Sequence, residues 1–125
     1  MAQHDVLDRR VYSPGEVVFK EGEVGRRCAY LVSSGKIEIS KKTADGQKKV
    51  LGYIGTGGIF GEMALIDNKA RSAAASAAET TTLIIVTEAS FEEKLRKTDP
   101  FIRGLLMIFV KSIRELNDKL INVGR

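Results

Sequence analysis

Short runs of β-branched and aromatic residues alternate with glycine-containing turns through the first half of the chain. Four of these runs predict strands, at residues 17–19, 29–32, 36–40 and 49–54. The third run alternates polar and apolar residues, which is typical of a strand with one buried face. Ten of the twelve glycines lie between Gly15 and Gly61, and the Asp45-Gly46 pair predicts a hairpin turn. This spacing of strands and turns indicates an antiparallel barrel or roll.

The stretch at residues 70–78 is ambiguous, because its many alanines favour a helix by composition. Residues 80–86 follow directly, and their β-branched side chains predict a strand. We interpret both stretches as strands. The small residues of the first would then let another group approach its backbone closely.

The last third of the chain changes to a helical period. Ser90 and Glu93 form a capping box, which predicts a short helix that runs to Arg96. Asp99 and Pro100 then predict the start of a second helix, as its N-cap and its first-turn proline.

The second helix carries a heptad stripe of apolar residues, and Gly124 is expected to end it. The stripe consists of Ile102, Leu106, Phe109, Ile113, Leu116, Leu120 and Val123. Between residues 101 and 110 the helix is apolar almost all round, which indicates a second partner in addition to its own domain.

Together these patterns predict a mainly β chain with terminal helices. The expected architecture is an antiparallel β-roll or jelly-roll barrel with one short internal helix and two C-terminal helices. At 125 residues, we expect a single domain over residues 1–125. The β-roll would occupy about 9–88 and the C-terminal helices about 89–123.

The composition excludes several classes of protein. Cys28 is the one cysteine and His4 the one histidine, so neither an internal disulfide nor a His and Cys metal cluster is available. We expect Cys28 to be a buried, inert thiol. The longest apolar run, residues 105–110, is far shorter than the ~20 residues of a membrane helix. The first twenty residues show no signal-peptide pattern, so we expect a cytoplasmic protein without a membrane span.

The net charge of +4 is spread along the chain. Residues 1–60 hold ten Lys and Arg against seven Asp and Glu, and residues 61–125 hold ten against nine. Nucleic-acid-binding proteins usually concentrate positive charge in a stripe or patch, which is not seen here. We therefore expect no direct binding of nucleic acid.

The candidate chemistry lies in the glycine-rich stretch that begins at Gly57. Its glycines match neither the dinucleotide-binding pattern nor the P-loop. They indicate a glycine turn that leads into one turn of helix at residues 62–66. Backbone N–H groups near Glu62, Met63 and Ala64 would form an anion site there. Arg71 follows in the adjoining loop and can add a fork-shaped cationic donor.

Glu62 needs its own explanation, because a carboxylate beside a phosphate would repel it. We predict that Glu62 accepts hydrogen bonds from a ribose hydroxyl. Taken singly, each residue has a simpler interpretation. Glu62 could complement the positive end of its helical turn, and Arg71 could be a solvated surface charge.

The segment 60–65 (Phe-Gly-Glu-Met-Ala-Leu), followed by 70–73 (Ala-Arg-Ser-Ala), closely resembles the phosphate-binding cassette of cyclic nucleotide-binding domains. These domains occur in cyclic-nucleotide-gated channels, protein kinase regulatory subunits and catabolite activator proteins. Residues 12–19, 21–22, 30–32 and 34–37 resemble the early strands of that family. The resemblance covers about residues 9–120.

The resemblance implies seven ligand-binding residues: Gly61, Glu62, Met63, Ala64, Arg71, Ser72 and Ala73. In its first part, Gly61 would let the backbone approach the sugar-phosphate, and Glu62 would accept from the ribose 2′-hydroxyl. The N–H groups around Met63 and Ala64 would bind the cyclic phosphate.

In the second part of the cassette, Arg71 would neutralise the phosphate. Ser72 would lie beside the phosphate and the base, and Ala73 would leave room for them. A serine at this position does not settle the choice between adenine and guanine.

We therefore expect a non-enzymatic receptor domain for cAMP, or for cGMP, that needs no cofactor and no metal. Ligand binding in the β-roll would reposition the C-terminal helix and so pass on a signal. The alternative is a protein-interaction or dimerisation module that uses the heptad helix, with a homodimer or an effector as partner and vestigial nucleotide binding. An enzyme is not expected, because Glu62 and Arg71 already have roles in the binding site.

Overall fold

The computed structural model describes residues 8–66 and 69–123, and residues 117–123 by their backbone alone. Its strands and helices are β1 (Asp8–Tyr12), β2 (Val17–Phe19), β3 (Cys28–Ser34), β4 (Lys36–Lys42), β5 (Lys48–Gly55), β6 (Ile59–Phe60), α1 (Met63–Ile66), β7 (Ala74–Ala77), β8 (Thr81–Thr87), α2 (Glu88–Arg96) and α3 (Pro100–Val123). These elements fall into two compact units, of which the first ends at Glu88 and the second begins at Ala89. The single domain expected over the whole chain stays a prediction.

The strands form two antiparallel four-stranded sheets, in the orders β1-β8-β3-β6 and β2-β7-β4-β5. The predicted mainly β fold with C-terminal helices is thereby confirmed. The hairpin predicted at Asp45-Gly46 joins β4 to β5. In β4 the buried Ile37 lies opposite Ala77 of β7 and Ile54 of β5, so one face of each strand points into the core.

The alanine-rich stretch contains a strand, but only in its second half. Ala75 and Ala77 of β7 are buried, because small side chains fit opposite Ile39 and Ile37 of the neighbouring strand. Residues 70–73 form a loop instead. Within this loop, the backbone of Arg71 is hydrogen-bonded to the turn after β2 rather than to a sheet.

Two strands were not predicted from the sequence pattern. β1 is an edge strand whose residues are mostly polar and exposed, so it has little hydrophobic alternation. β6 has only two residues, Ile59 and Phe60, which pair with Leu31 and Tyr30 of β3. A strand this short is too brief for a periodic pattern to show.

The core of the first unit lies between the inner faces of the two sheets. Tyr30 is fully buried at its centre, and its ring stacks on Phe60 with centroids 5.1 Å apart. Phe19 packs on both rings, at 5.8 Å from Tyr30 and 6.0 Å from Phe60. This aromatic cluster brings β2, β3 and β6 together beside the glycine-rich loop.

The short helix α2 ends at Arg96 as predicted, but it begins at Glu88, so the capping box expected at Ser90 does not start it. The helix follows directly after β8, and two interactions with Arg27 fix Glu88 at its start. The backbone N–H of Glu88 donates to the carbonyl of Arg27 at 3.1 Å, and the two side chains form a 2.8 Å ion pair.

The long helix α3 begins at Pro100, as predicted. The Oδ1 atom of Asp99 accepts a hydrogen bond from the N–H of Phe101 at 2.8 Å, which is the geometry of an N-cap. The predicted end at Gly124 lies outside the described residues. So do the side chains of Leu120 and Val123, the last two members of the heptad stripe.

The described apolar side chains of α3 between residues 101 and 109 are exposed, from 73% for Phe101 to 37% for Leu105. Even so, none of the helices described here combines the length and the apolar character that crossing a membrane requires.

Candidate functional site

The loop between β6 and β7 carries all seven residues predicted for the site. After Gly61 and Glu62 the chain makes the single turn α1, and it returns through Arg71 to β7. In this turn the N–H of Ala64 donates to the carbonyl of Gly61 at 3.3 Å, and that of Leu65 donates to Glu62 at 3.0 Å. The N–H groups before them, at Glu62 and Met63, have no acceptor within so short a helix.

Arg71 is fixed by its backbone before its side chain is considered. Its N–H donates to the carbonyl of Glu23 at 2.9 Å, and its carbonyl accepts from the N–H of Gly22 at 2.7 Å. Gly22 and Glu23 belong to the turn that follows β2. Two parts of the chain that are distant in sequence are therefore joined at the residue that carries the cationic side chain.

The guanidinium of Arg71 is buried and donates to three backbone carbonyls. Nη1 donates to Gly61 at 2.8 Å, and Nη2 donates to Cys28 at 3.0 Å and to Arg26 at 3.2 Å. Only 8% of the residue is exposed, so the interpretation of Arg71 as a solvated surface charge is wrong. The carbonyls fix the side chain in one orientation, directed back towards Gly61.

Two aromatic rings flank this guanidinium. The Cζ atom of Arg71 lies 4.2 Å from the ring centroid of Phe19 and 5.8 Å from that of Tyr30. Both distances are within the range of cation–π interactions, which strengthen when the cation is desolvated.

No carboxylate in the described ranges forms an ion pair with Arg71. A guanidinium has five N–H donors, and the three carbonyls leave some of them for another acceptor. A buried charge without a counter-ion is costly, and an anionic ligand would lower that cost. The arrangement can therefore bind an anion at the loop.

Gly61 is required by the geometry of this loop. Its φ of +71° lies in the left-handed region that favours glycine. A Cβ atom at this position would come within 2.8 Å of Nη1 of Arg71 and 3.2 Å of the Phe19 ring. The absence of a side chain at Gly61 therefore allows Arg71 to pack against the loop backbone.

The remaining predicted residues differ in accessibility. Glu62 and Ser72 are exposed, whereas Met63 and Ala73 are partly buried and Ala64 is buried. The carboxylate of Glu62 makes no hydrogen bond or ion pair within the part of the chain that the structure describes. It is therefore available to accept a hydrogen bond from a ligand.

Cys28 and Tyr30 lie directly behind the guanidinium. The thiol of Cys28 donates to the Tyr30 hydroxyl at 3.4 Å, and its sulfur lies 3.9 Å from Nη2 of Arg71. Burial, together with this hydrogen bond, raises the pKa of Tyr30 to about 12. Tyr30 is therefore neutral at physiological pH. Cys28 is a buried free thiol, as the sequence led us to expect.

The sequence pattern missed four parts of the site: the rings of Phe19 and Tyr30, and the carbonyls of Arg26 and Cys28. Both aromatic residues were recognised only as members of strands. Carbonyl groups occur at every residue and have no signature in the sequence. Within the described ranges, no three side chains of His, Cys, Asp or Glu approach closely enough to hold a metal ion.

In comparison with known protein families, residues 9–98 match the family described as "Cyclic nucleotide-binding domain". The matched range contains both sheets, except for Asp8 at the start of β1, and the whole loop between β6 and β7.

Among curated proteins, the cyclic AMP receptor protein of Thermus thermophilus is 33% identical over 114 residues. The alignment covers 91% of this chain and 52% of the receptor, so the chain spans about half the length of that relative. The cAMP-dependent protein kinase regulatory subunit of Mycosarcoma maydis is 39% identical over 69 residues, which cover 55% of this chain and 13% of the subunit.

Among solved structures, the half-site-occupied form of the EAL enzyme Bd1971 matches with a TM-score of 0.83 and 33% identity, covering 90% of this chain and 99% of that one. The catabolite activator protein of Thermus thermophilus matches with a TM-score of 0.73 and 30% identity, covering 97% of this chain and 56% of that one. A cAMP-bound form of Bd1971 matches with a TM-score of 0.68 and 34% identity, covering 90% and 29%.

Proposed function

We propose that this chain, which belongs to the cyclic nucleotide-binding domain family, is a receptor domain for cAMP, with cGMP as the second candidate ligand. The observation that carries the proposal is the buried guanidinium of Arg71, which has no carboxylate partner among the described residues. A cyclic phosphate supplies the single negative charge that this cation lacks. Its oxygens can accept hydrogen bonds from the guanidinium N–H groups that are not bonded to the three carbonyls.

Glu62 is proposed to bind the ribose of the same ligand. Its carboxylate is exposed and unpaired within the described chain, two positions before the buried Ala64. A ribose 2′-hydroxyl is a donor that a carboxylate accepts well, whereas a second phosphate oxygen would be repelled. The pair of Glu62 and Arg71 therefore selects a ligand with a hydroxyl group next to an anion.

The backbone and the loop residues complete the proposed site. The N–H of Met63 can donate to the phosphate, while that of Ala64 already donates to Gly61 at a long 3.3 Å. Ser72 is exposed beside Arg71 and can contact the phosphate or the base. The small side chain of Ala73 leaves room for them.

The choice of cAMP over cGMP is supported by the relatives rather than by a contact in the site. The names of the Thermus thermophilus receptor and of the Mycosarcoma maydis kinase regulatory subunit refer to cAMP. The neighbour Bd1971, however, has both a cAMP-bound and a cGMP-bound form. Ser72 has a hydroxyl group that either purine could use.

The experiment that tests the receptor function is calorimetric titration with cAMP and cGMP in parallel, together with thermal unfolding. A ligand at a hundredfold excess over its Kd stabilises the folded state by ~2.7 kcal/mol. We expect saturable binding of cAMP, weaker binding of cGMP and a raised Tm with each. If neither nucleotide binds or shifts the Tm, the receptor function is wrong.

The further proposal concerns the output of the domain. We propose that ligand binding repositions α3 and passes the signal to a partner, so that the domain acts as a non-enzymatic cytoplasmic sensor. The apolar side chains exposed on α3 support such a role, because an apolar surface of this size is usually covered by another group.

The same exposed side chains favour a second candidate function, a dimerisation or protein-interaction module. The described members of the heptad stripe include Ile102, Leu106, Phe109 and Leu116, and all four are exposed. Sedimentation equilibrium of the wild type and of Phe109→Glu distinguishes the two functions. A dimer that dissociates in the variant, combined with no nucleotide binding, would support the interaction module alone.

A further inference from the structure

We propose that Phe19 is a positioning residue for the guanidinium of Arg71, an inference that rests on the proposed binding of a cyclic phosphate there. Phe19 ends β2, whereas Arg71 lies in the loop before β7. The fold brings the ring centroid of Phe19 to 4.2 Å from Cζ of Arg71. The sequence pattern assigns Phe19 only a place in a strand.

The ring has an effect that the carbonyl groups cannot have. Hydrogen bonds from Arg71 to Gly61, Cys28 and Arg26 act along the N–H directions of the guanidinium. Contact with the face of Phe19 opposes tilting of the guanidinium out of its plane and shields it from water on that side. Both residues are more than nine-tenths buried, and burial strengthens the attraction between cation and ring.

Gly61 shows how closely these groups are packed. A Cβ atom added there would lie 2.8 Å from Nη1 of Arg71 and 3.2 Å from Cε2 of Phe19. The ring, the guanidinium and the loop backbone therefore occupy one tightly packed region. A smaller, non-aromatic side chain at Phe19 would leave a space into which the guanidinium could move.

Movement of Arg71 would weaken ligand binding without removing any ligand contact. When only a fraction of the molecules has the binding-competent arrangement, the apparent Kd rises by the inverse of that fraction. We expect Phe19→Leu to weaken cAMP binding about tenfold.

Phe60→Leu is the matched control. Phe60 is as buried as Phe19 and belongs to the same aromatic cluster, with centroids 6.0 Å from Phe19 and 5.1 Å from Tyr30. Its ring, however, makes no cation–π contact with Arg71 among the described residues. The two variants remove the same atoms from the same core, so we expect them to lower Tm by similar amounts. Because Phe60 directly precedes Gly61, Phe60→Leu is expected to lose some cAMP affinity, about two- to threefold, which is clearly less than the loss in Phe19→Leu.

The decisive readout is the ¹⁵N–¹H signal of the Arg71 side-chain Nε–H, measured without ligand and assigned by its loss in Arg71→Lys. Loss of the ring current shifts this signal whether or not the guanidinium moves, so the quantity measured is the rate at which the Nε–H proton exchanges with water. We expect this exchange to become several-fold faster in Phe19→Leu, where the guanidinium is no longer held and shielded on that side, and to change by less than about twofold in Phe60→Leu. This measurement decides the position of Arg71 even if the wild type binds no nucleotide, which would overturn the proposed function alone.

Two further variants complete the test. Phe19→Tyr keeps the ring and should bind cAMP within threefold of the wild type. Phe19→Met is a second variant without a ring and should behave as Phe19→Leu, in case one of the two does not fold. Equal losses of affinity in Phe19→Leu and Phe60→Leu, or an unchanged exchange rate of the Arg71 Nε–H proton in Phe19→Leu, would overturn the proposal.

Discussion

Gly61 and Arg71 constrain each other, because the backbone of Gly61 lies directly against the guanidinium of Arg71. The carbonyl oxygen of Gly61 accepts a hydrogen bond from Nη1 of Arg71 at 2.8 Å. A side chain at Gly61 would place its Cβ at the same distance from the same nitrogen. The cation of the proposed site is therefore held by a residue that must have no side chain.

The first prediction tests this constraint with two glycines. Gly61→Ala and Gly57→Ala both place alanine at a positive φ, +71° and +88°, which costs about 1 kcal/mol of stability. Only at Gly61 would the new Cβ meet other atoms, because nothing lies within 4 Å at Gly57. We expect Gly61→Ala to lose at least tenfold in cAMP affinity by calorimetry and Gly57→Ala to lose less than threefold. Similar affinities in the two variants would contradict the prediction.

The second prediction concerns Arg71 itself. Arg71→Ala removes a charge-assisted bond to phosphate worth ~1.5–3 kcal/mol, so affinity for cAMP should fall at least tenfold. Arg71→Lys should recover only part of it, because an ammonium cannot bind the phosphate and three carbonyls with the same geometry.

Arg71→Ala should also lower the free energy of unfolding, by roughly 1–3 kcal/mol, because buried carbonyls lose their donor. Chemical denaturation measures this cost separately from binding. Arg10→Ala is the charge control, since Arg10 is exposed on β1, at the opposite edge of the sheet from β6. Wild-type affinity in Arg71→Ala would exclude Arg71 from the site.

The third prediction separates recognition of the ribose from recognition of the phosphate. If Glu62 accepts from the 2′-hydroxyl, the wild type should bind 2′-deoxy-cAMP less tightly than cAMP, by about tenfold. Glu62→Gln should reduce this difference, because an amide oxygen is a weaker acceptor than a carboxylate. Glu79→Gln, at an exposed position after β7, should leave the difference unchanged. A discrimination ratio equal in Glu62→Gln and the wild type would refute the ribose contact.

The fourth prediction is a loss of stability at alkaline pH. Tyr30 has a pKa of about 12 in the folded protein, against an ordinary value near 10, so the folded state favours the neutral phenol. This contribution is complete below pH 10 and is lost as the pH rises towards 12, at a cost of about 2–3 kcal/mol.

Urea unfolding of the wild type and of Tyr30→Phe between pH 9 and 12 measures this loss. Phenylalanine cannot ionise, so the free energy of unfolding of Tyr30→Phe should fall less steeply with pH over the same range. Lysine titration affects both proteins equally and cancels in the comparison. Parallel pH profiles would show that Tyr30 does not contribute.

The fifth prediction concerns α3. If nucleotide binding repositions this helix, deletion of residues 111–125 should lower cAMP affinity while the β-roll stays folded. Amide-exchange protection in residues 105–120 should also change when cAMP is added, because a ligand shifts an equilibrium only by binding one state better. The exchange of β4, which lies within a sheet, serves as the internal control. Unchanged affinity together with unchanged exchange would leave α3 a packing or interface element.

Much of the fold follows from local patterns in the sequence. The alternation in residues 36–40, the Asp45-Gly46 turn and the Asp99 N-cap each depend on a few neighbouring residues, so the pattern identifies them directly. The strand β6 and the start of α2 depend instead on distant partners. Ile59 and Phe60 become a strand by pairing with β3, and Glu88 begins a helix because Arg27 holds it.

The sequence by itself determined the family resemblance and the residue types of the candidate site, because the cassette is a contiguous motif from Phe60 to Ala73. Only the tertiary structure decided that Arg71 is buried, and that Phe19 and backbone carbonyls hold it. These contacts join residues far apart in the chain and use carbonyl groups that every residue has. The identity of the cationic residue, Arg71, can therefore be predicted from its side chain. The orientation of its guanidinium depends instead on how the two sheets bring β2, β3 and the loop together.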